Sequence, residues 1–129
     1  MPATHSFEYA VIRVVPRVER GEFVNAGVVV ICLARKFLGS RINIDEDRLR
    51  ALWPQLETEE IRQHLAAFSD VCSGLKNAGP IAALSLRERF QWLVAPRSTV
   101  IQISPVHSGL CDSPEDALSE LFARLVLSC

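Results

Sequence analysis

Nine consecutive residues, Ala26 to Ala34, carry no charge, and at their centre Val28, Val29, Val30 and Ile31 are all β-branched. Branching at Cβ favours extended backbone, and a strand's side chains alternate between its two faces. An unbroken apolar run therefore predicts a strand covered on both faces, the central one of a sheet. A membrane helix is excluded for this segment, since crossing a bilayer takes roughly 20 apolar residues.

The flanking sequence supplies the neighbours of that strand. Between Phe7 and Val15 the residues Tyr9, Val11, Ile12, Val14 and Val15 predict a first strand, ended by Pro16. Pro16 to Glu22 is then a turn, with Gly21 expected at positive φ, and the central strand runs from Phe23 to Leu33 with a bulge at Asn25 to Gly27. After Arg35 and Lys36, Leu38, Ser40, Ile42 and Ile44 alternate against Phe37, Gly39, Arg41 and Asn43, which predicts a third strand in a meander.

The period then changes from 2 to 3.6. Asp45 or Asp47 can cap a short helix through Leu49, Leu52 and Trp53 that Pro54 closes. Thr58 can cap a longer one, on which Ile61, Leu65, Phe68, Cys72 and Leu75 share a face until Asn77, Gly79 and Pro80 stop it. Ser85 and Glu88 have capping-box spacing ahead of a third helix with Leu86, Phe90 and Leu93 on its apolar side. Thr99 to Ser104 predicts a fourth strand. Ser113, Pro114 and Asp116 open a last helix that turns Leu118, Leu121, Phe122, Leu125 and Val126 inward. The order βββαααβα predicts an α+β fold: an antiparallel sheet of about four strands with helices packed mainly on one face. At 129 residues, with no linker or repeat, one domain over 1–129 is expected.

Fourteen Lys and Arg against fifteen Asp and Glu give a net charge of −1, which argues against a protein that coats nucleic acid or anionic membrane. The first residues, MPATHSFEY, lack a basic segment followed by an apolar one, so a cytoplasmic protein is expected. Cys32, Cys72, Cys111 and Cys129 form no Cys-x-x-Cys pair and have no His at zinc-finger spacing, so reduced thiols and no metal are expected. Phosphate-loop, dinucleotide-binding, zinc-protease and nucleophile-elbow motifs are all missing, and no cofactor is expected.

Two stretches are richer in polar residues than folding alone asks. The first, RVERGEFVNAG, holds Arg17, Glu19, Arg20, Glu22 and Asn25 around Gly21 and Gly27. It is either a solvated turn or an arginine pair that binds an anion or an acidic partner. The second, LVAPRSTVIQISPVHSG, offers Arg97, Ser98 and Thr99 before the fourth strand, and Ser104, His107 and Gly109 after it. Two prolines bracketing a strand explain it without function; a phosphate or carboxylate site is the alternative. If the fourth strand pairs antiparallel with the first or third, Arg97 joins Arg17 and Arg20 at one end of the sheet. His107 then lies on the order of 20 Å from Arg97, unless the chain folds back after Pro105. His5 and His64 are expected at the surface.

The runs YAVIRVVPRVERGEFVNAGVVVIC and ERFQWLVAPRSTVIQISPVHSGLCDSPEDAL resemble the bacterial domain-of-unknown-function 3037 family over nearly the whole chain. The resemblance implies a short, single-domain protein and suggests an accessory role beside a HipA-like kinase. It carries over Arg17, Glu19, Arg20, Glu22, Asn25, Gly27, Arg97, Ser98, Thr99, Ser104, His107 and Gly109, without a role for any of them. The first functional reading is a non-enzymatic binding module that partners a larger protein. The second is a small enzyme or ligand-binding domain acting on a phosphorylated or anionic substrate through its arginine-rich sheet end. A nucleic-acid accessory role ranks third, because a few arginines neutralise only a few phosphates.

Overall fold

The apolar run lies in β2 (Val24–Cys32), which is antiparallel to β1 (His5–Val14) on one side and to β3 (Phe37–Ile42) on the other. The structure, a computed structural model, describes residues 4–74, 79–97 and 99–127. After the meander come α1 (Glu46–Leu52), α2 (Thr58–Ser73) and α3 (Leu86–Val94). Two short strands follow, β4 (Ile101–Ile103) and β5 (His107–Cys111), and then α4 (Pro114–Phe122), continued by a π-turn over Ala123–Leu127. The fold is α+β.

Strand β2 is covered on both faces, as its run of apolar residues predicts. Val29 and Ile31 pack with Leu49 of α1, Ile61, Leu65 and Phe68 of α2, and Phe90 and Leu93 of α3. Val28, Val30 and Cys32 point the other way, against Phe7 and against Leu118, Leu121 and Phe122 of α4. Three helices thus share one face, while α4 covers the second. Each fully buried valine contributes about 1.5–3 kcal/mol, which is why polar residues are kept out of this strand. The bulge expected at Asn25 to Gly27 is present: Ile12 faces Gly27 and the next residue, Arg13, faces Asn25, leaving Ala26 as the extra residue. The Ala26 carbonyl is not wasted, for it accepts the Asn43 N–H at 2.8 Å.

Local signals set most element ends. The Asp45 side chain accepts the Arg48 N–H, the Ser85 hydroxyl accepts the Glu88 N–H and donates to the Glu88 carboxylate, and Ser113 accepts the Asp116 N–H. Two expectations at α2 are corrected. Thr58 is the first helical residue rather than the cap, and its hydroxyl turns instead to Glu46. The helix stops at Ser73, because Gly74 takes the left-handed conformation at φ 68°. Leu75 and Asn77 lie outside the described residues.

The region after Pro96 also differs from expectation. The expected strand over Thr99 to Ser104 shrinks to Ile101–Ile103, and the expected loop over Pro105 to Gly109 contains the start of β5. Both strands pair antiparallel with β1, end to end along its outer side, with Ile103 opposite Ile12 and His107 opposite Tyr9. Between these pairs Ala10 and Val11 face Ser104, Pro105 and Val106, so the edge bulges by one residue. The proline lacks an N–H for the ladder, which is the physical reason for the break.

Candidate functional site

The loop from β1 to β2 folds as a short 3-10 turn, Val18–Arg20, closed by Gly21 at φ 72°. Its charges pair locally: Arg17 Nε donates to Glu19 at 2.9 Å and Arg20 Nε to Glu22 at 2.5 Å. Glu19 lies below the ordinary carboxylate value, first through its backbone hydrogen bond and then through Arg17, and Glu22 raises Arg20. Asn25 faces inward, where its amide donates to the Leu125 carbonyl at 3.0 Å and ties the bulge to the end of the last helical segment.

Arg97 is held differently from the loop arginines. Its Nη1 donates to the carbonyls of Leu93 at 2.7 Å and Ala95 at 3.2 Å, and Nη2 donates to that of Trp92 at 3.0 Å. These carbonyls lie at the negative end of α3, where a cation is favoured; that of Trp92 also accepts the Ala95 N–H at 3.4 Å. The guanidinium lies 4.9 Å from the Phe68 ring centroid and 5.1 Å from that of Trp92. Burial lowers its pKa from the ordinary value.

Beside Arg97 a cavity of about 550 Å³ opens at this end of the sheet. Trp53, Leu56, Ile61, Phe68, Trp92 and Val100 give it apolar walls, and Pro16 and Ile101 supply the strand side. Glu57, Glu60, His64 and Ala67, all exposed residues of α2 and the position before it, stand at its mouth. Pro54 shapes one wall: the residue before a proline is pushed out of helical backbone, so Trp53 ends α1 in an extended conformation, and its carbonyl accepts the Leu56 N–H across a tight turn. The Arg17 guanidinium lies 5.9 Å from the centroid of the Trp53 ring. Thr99 also lines the cavity, with its hydroxyl donating to the Ile101 carbonyl at 2.9 Å.

Of the residues singled out from sequence, the structure brings Arg17, Arg97 and Thr99 to this cavity or its rim. Arg20, Glu19 and Glu22 remain in the exposed loop, and Ser98 lies outside the described residues. The later candidates sit farther along β1. Ser104 is buried at the edge bulge, His107 is exposed with its ring tilted against that of Tyr9 at 5.4 Å between centroids, and Gly109 faces Phe7, whose ring comes within 2.9 Å of where an added Cβ would be. The chain continues straight from β4 into β5, so His107 does not fold back toward Arg97. Sequence reasoning missed Trp53, Phe68 and Trp92 as site residues. A signal existed for one of them in the sequence, where Trp92 lies off the Leu86, Phe90 and Leu93 stripe; the structure leaves it 38% exposed.

Concave, largely apolar cavities of 300–1,000 Å³ with a few polar groups are the ordinary form of a binding site. Among the described residues no group of three or more His, Cys, Asp and Glu side chains is placed to hold a metal ion, and no helix is long and apolar enough to cross a membrane. A family model described as a protein of unknown function, DUF3037, matches residues 9–126. No curated protein and no solved structure matches the chain.

Proposed function

We propose, from the premise that this chain belongs to the DUF3037 family of proteins of unknown function, that it is a cytoplasmic, non-enzymatic binding module that receives an apolar side chain of a larger protein in the Trp53–Trp92 cavity. The observation that carries this reading is the state of the cavity's inner polar groups. Arg97 is engaged with three carbonyls and Thr99 with one, so the apolar walls are what a ligand meets inside. Aromatic pockets of this kind bind by excluding water from large flat rings, and tryptophan is enriched among the residues that dominate protein interfaces.

The rival reading, an anionic substrate clamped by arginines, is less favoured by the same geometry. Arg17 and Arg20 are each paired with a glutamate of their own loop, and Arg97 is turned to the end of α3. A photo-crosslinking amino acid at position 67, at the cavity mouth, tests the proposal in cells that express the protein natively. One partner protein should be captured from position 67 and not from position 124, on exposed surface of the segment that follows α4. Equal capture from both positions overturns the proposal. So does a rise in melting temperature with inorganic phosphate that Arg17→Ala and Arg97→Ala each abolish, which returns the anionic-substrate reading.

A further inference from the structure

Sequence alone suggests a positive end of the sheet, but the structure places two carboxylates, Glu57 and Glu60, at the mouth of the cavity there. The arginines nearest the cavity are engaged: Arg17 with Glu19, Arg20 of the same loop with Glu22, and Arg97, which keeps its charge, with the carbonyls that end α3, while Arg13 on β1 lies over the Phe23 ring. Arg62, the cation on the neighbouring turn of α2, pairs with Glu46. Among the described residues, the carboxylates at the cavity mouth have no such partner. Glu57 precedes α2 without capping it through its side chain, and Glu60 lies 3.7 Å from His64, a pair that is ionic only when the imidazole is protonated.

From this arrangement we infer that the cavity is selective for a cationic amphiphile, namely a segment of the partner protein in which an apolar anchor side chain is flanked by Lys or Arg. The anchor fills the space between Trp53 and Trp92, and the flanking cation meets Glu57 and Glu60. Opposite charges arranged around an apolar centre steer encounter and set which partner is accepted more than they set total affinity. The inference rests on the cavity being the binding site.

The test uses the full chain labelled with nitrogen-15. The protein contains two tryptophans, both of which line the cavity, so both indole N–H signals report on it. The probes are the N-acetyl dipeptide amides phenylalanyl-lysine, phenylalanyl-glutamine and phenylalanyl-glutamate, at pH 8, where an ordinary imidazole is neutral. All three should shift both indole signals, with the lysine probe binding on the order of five-fold more tightly than the glutamate probe at low salt. The Glu57→Gln, Glu60→Gln double variant should lose that preference and keep its affinity for the glutamine probe. Equal binding of the charged probes, or tighter binding of the glutamate probe, overturns the charge selectivity and leaves the cavity as a binding site. Indole signals that respond to no probe overturn both.

Discussion

The Ser104 hydroxyl accepts the Val11 N–H at 2.8 Å, in the gap where β4 and β5 break, and donates in turn to the Pro105 carbonyl at 2.9 Å. The Ser104 N–H meanwhile donates to the Val11 carbonyl at 2.9 Å, so both backbone groups of Val11 are satisfied by one residue. A side chain here completes the ladder that the proline-containing bulge interrupts. Ser104→Ala leaves the Val11 N–H buried without a partner, and a loss of about 1–3 kcal/mol is expected in urea unfolding. A change within error would mean that Ser104 is available for other work.

Gly27 and Gly109 both face close neighbours, but of different kinds. A Cβ at Gly27 would meet the Arg41 carbonyl at 2.8 Å, and that oxygen belongs to backbone held in a sheet. At Gly109 the obstacle is the Phe7 ring at 2.9 Å, which a side-chain rotation can relieve in part. Gly27→Ala should therefore lower the melting temperature by clearly more than Gly109→Ala. The reverse order would show that β3 yields more readily than the Phe7 ring.

Phe68 belongs to the main core and also supports Arg97. Phe68→Ala is expected to cost about 3–5 kcal/mol in denaturant unfolding, whereas Gln63→Ala, exposed on the same helix, should change little. Equal small losses from both would contradict the packing of α2 against the sheet.

The two classes of arginine should separate by mutation. Arg97→Ala removes three charge-assisted hydrogen bonds to the end of α3 and a guanidinium from between two rings, so a loss of about 1–3 kcal/mol is expected. Arg17→Ala removes an exposed pair and should leave unfolding nearly unchanged. Far-ultraviolet circular dichroism of each variant and its unfolding midpoint together check both expectations.

Burial pushes the Cys72 thiol up to about 11 from an ordinary 9.0. The folded state therefore holds its proton to higher pH than the unfolded state does, and stability present below pH 9 is lost as pH rises toward 11. Unfolding midpoints at pH 8 and pH 10 should differ more in wild type than in Cys72→Ala. Cys111, also raised by burial, is the more accessible of the two and should react first with a thiol reagent in the native protein. Modification of Cys72 at the same rate would place it at the surface.

Several features of this protein follow from residues close together in sequence. The alternation of strand side chains forces an unbroken run at Val28 to Ile31 to be buried on both faces. Gly21 at positive φ, the bulge before Gly27, and the Ser85 and Ser113 caps each depend on chemistry within a few residues. Tertiary structure alone decided three others. His107 to Cys111 has little strand propensity of its own and becomes β5 because β1 offers an unpaired edge and Gly109 makes room for Phe7. The last helix lies on the second face because the first is occupied by α1, α2 and α3. Finally, the arginines that look available in sequence have their donors engaged by partners whose positions depend on the fold: Arg97, which keeps its charge, by the carbonyls at the end of α3, a helix end that sequence marks but whose carbonyls it cannot aim. Charge counted along a chain is additive, whereas charge left free at a surface depends on which groups the packing brings within hydrogen-bonding distance.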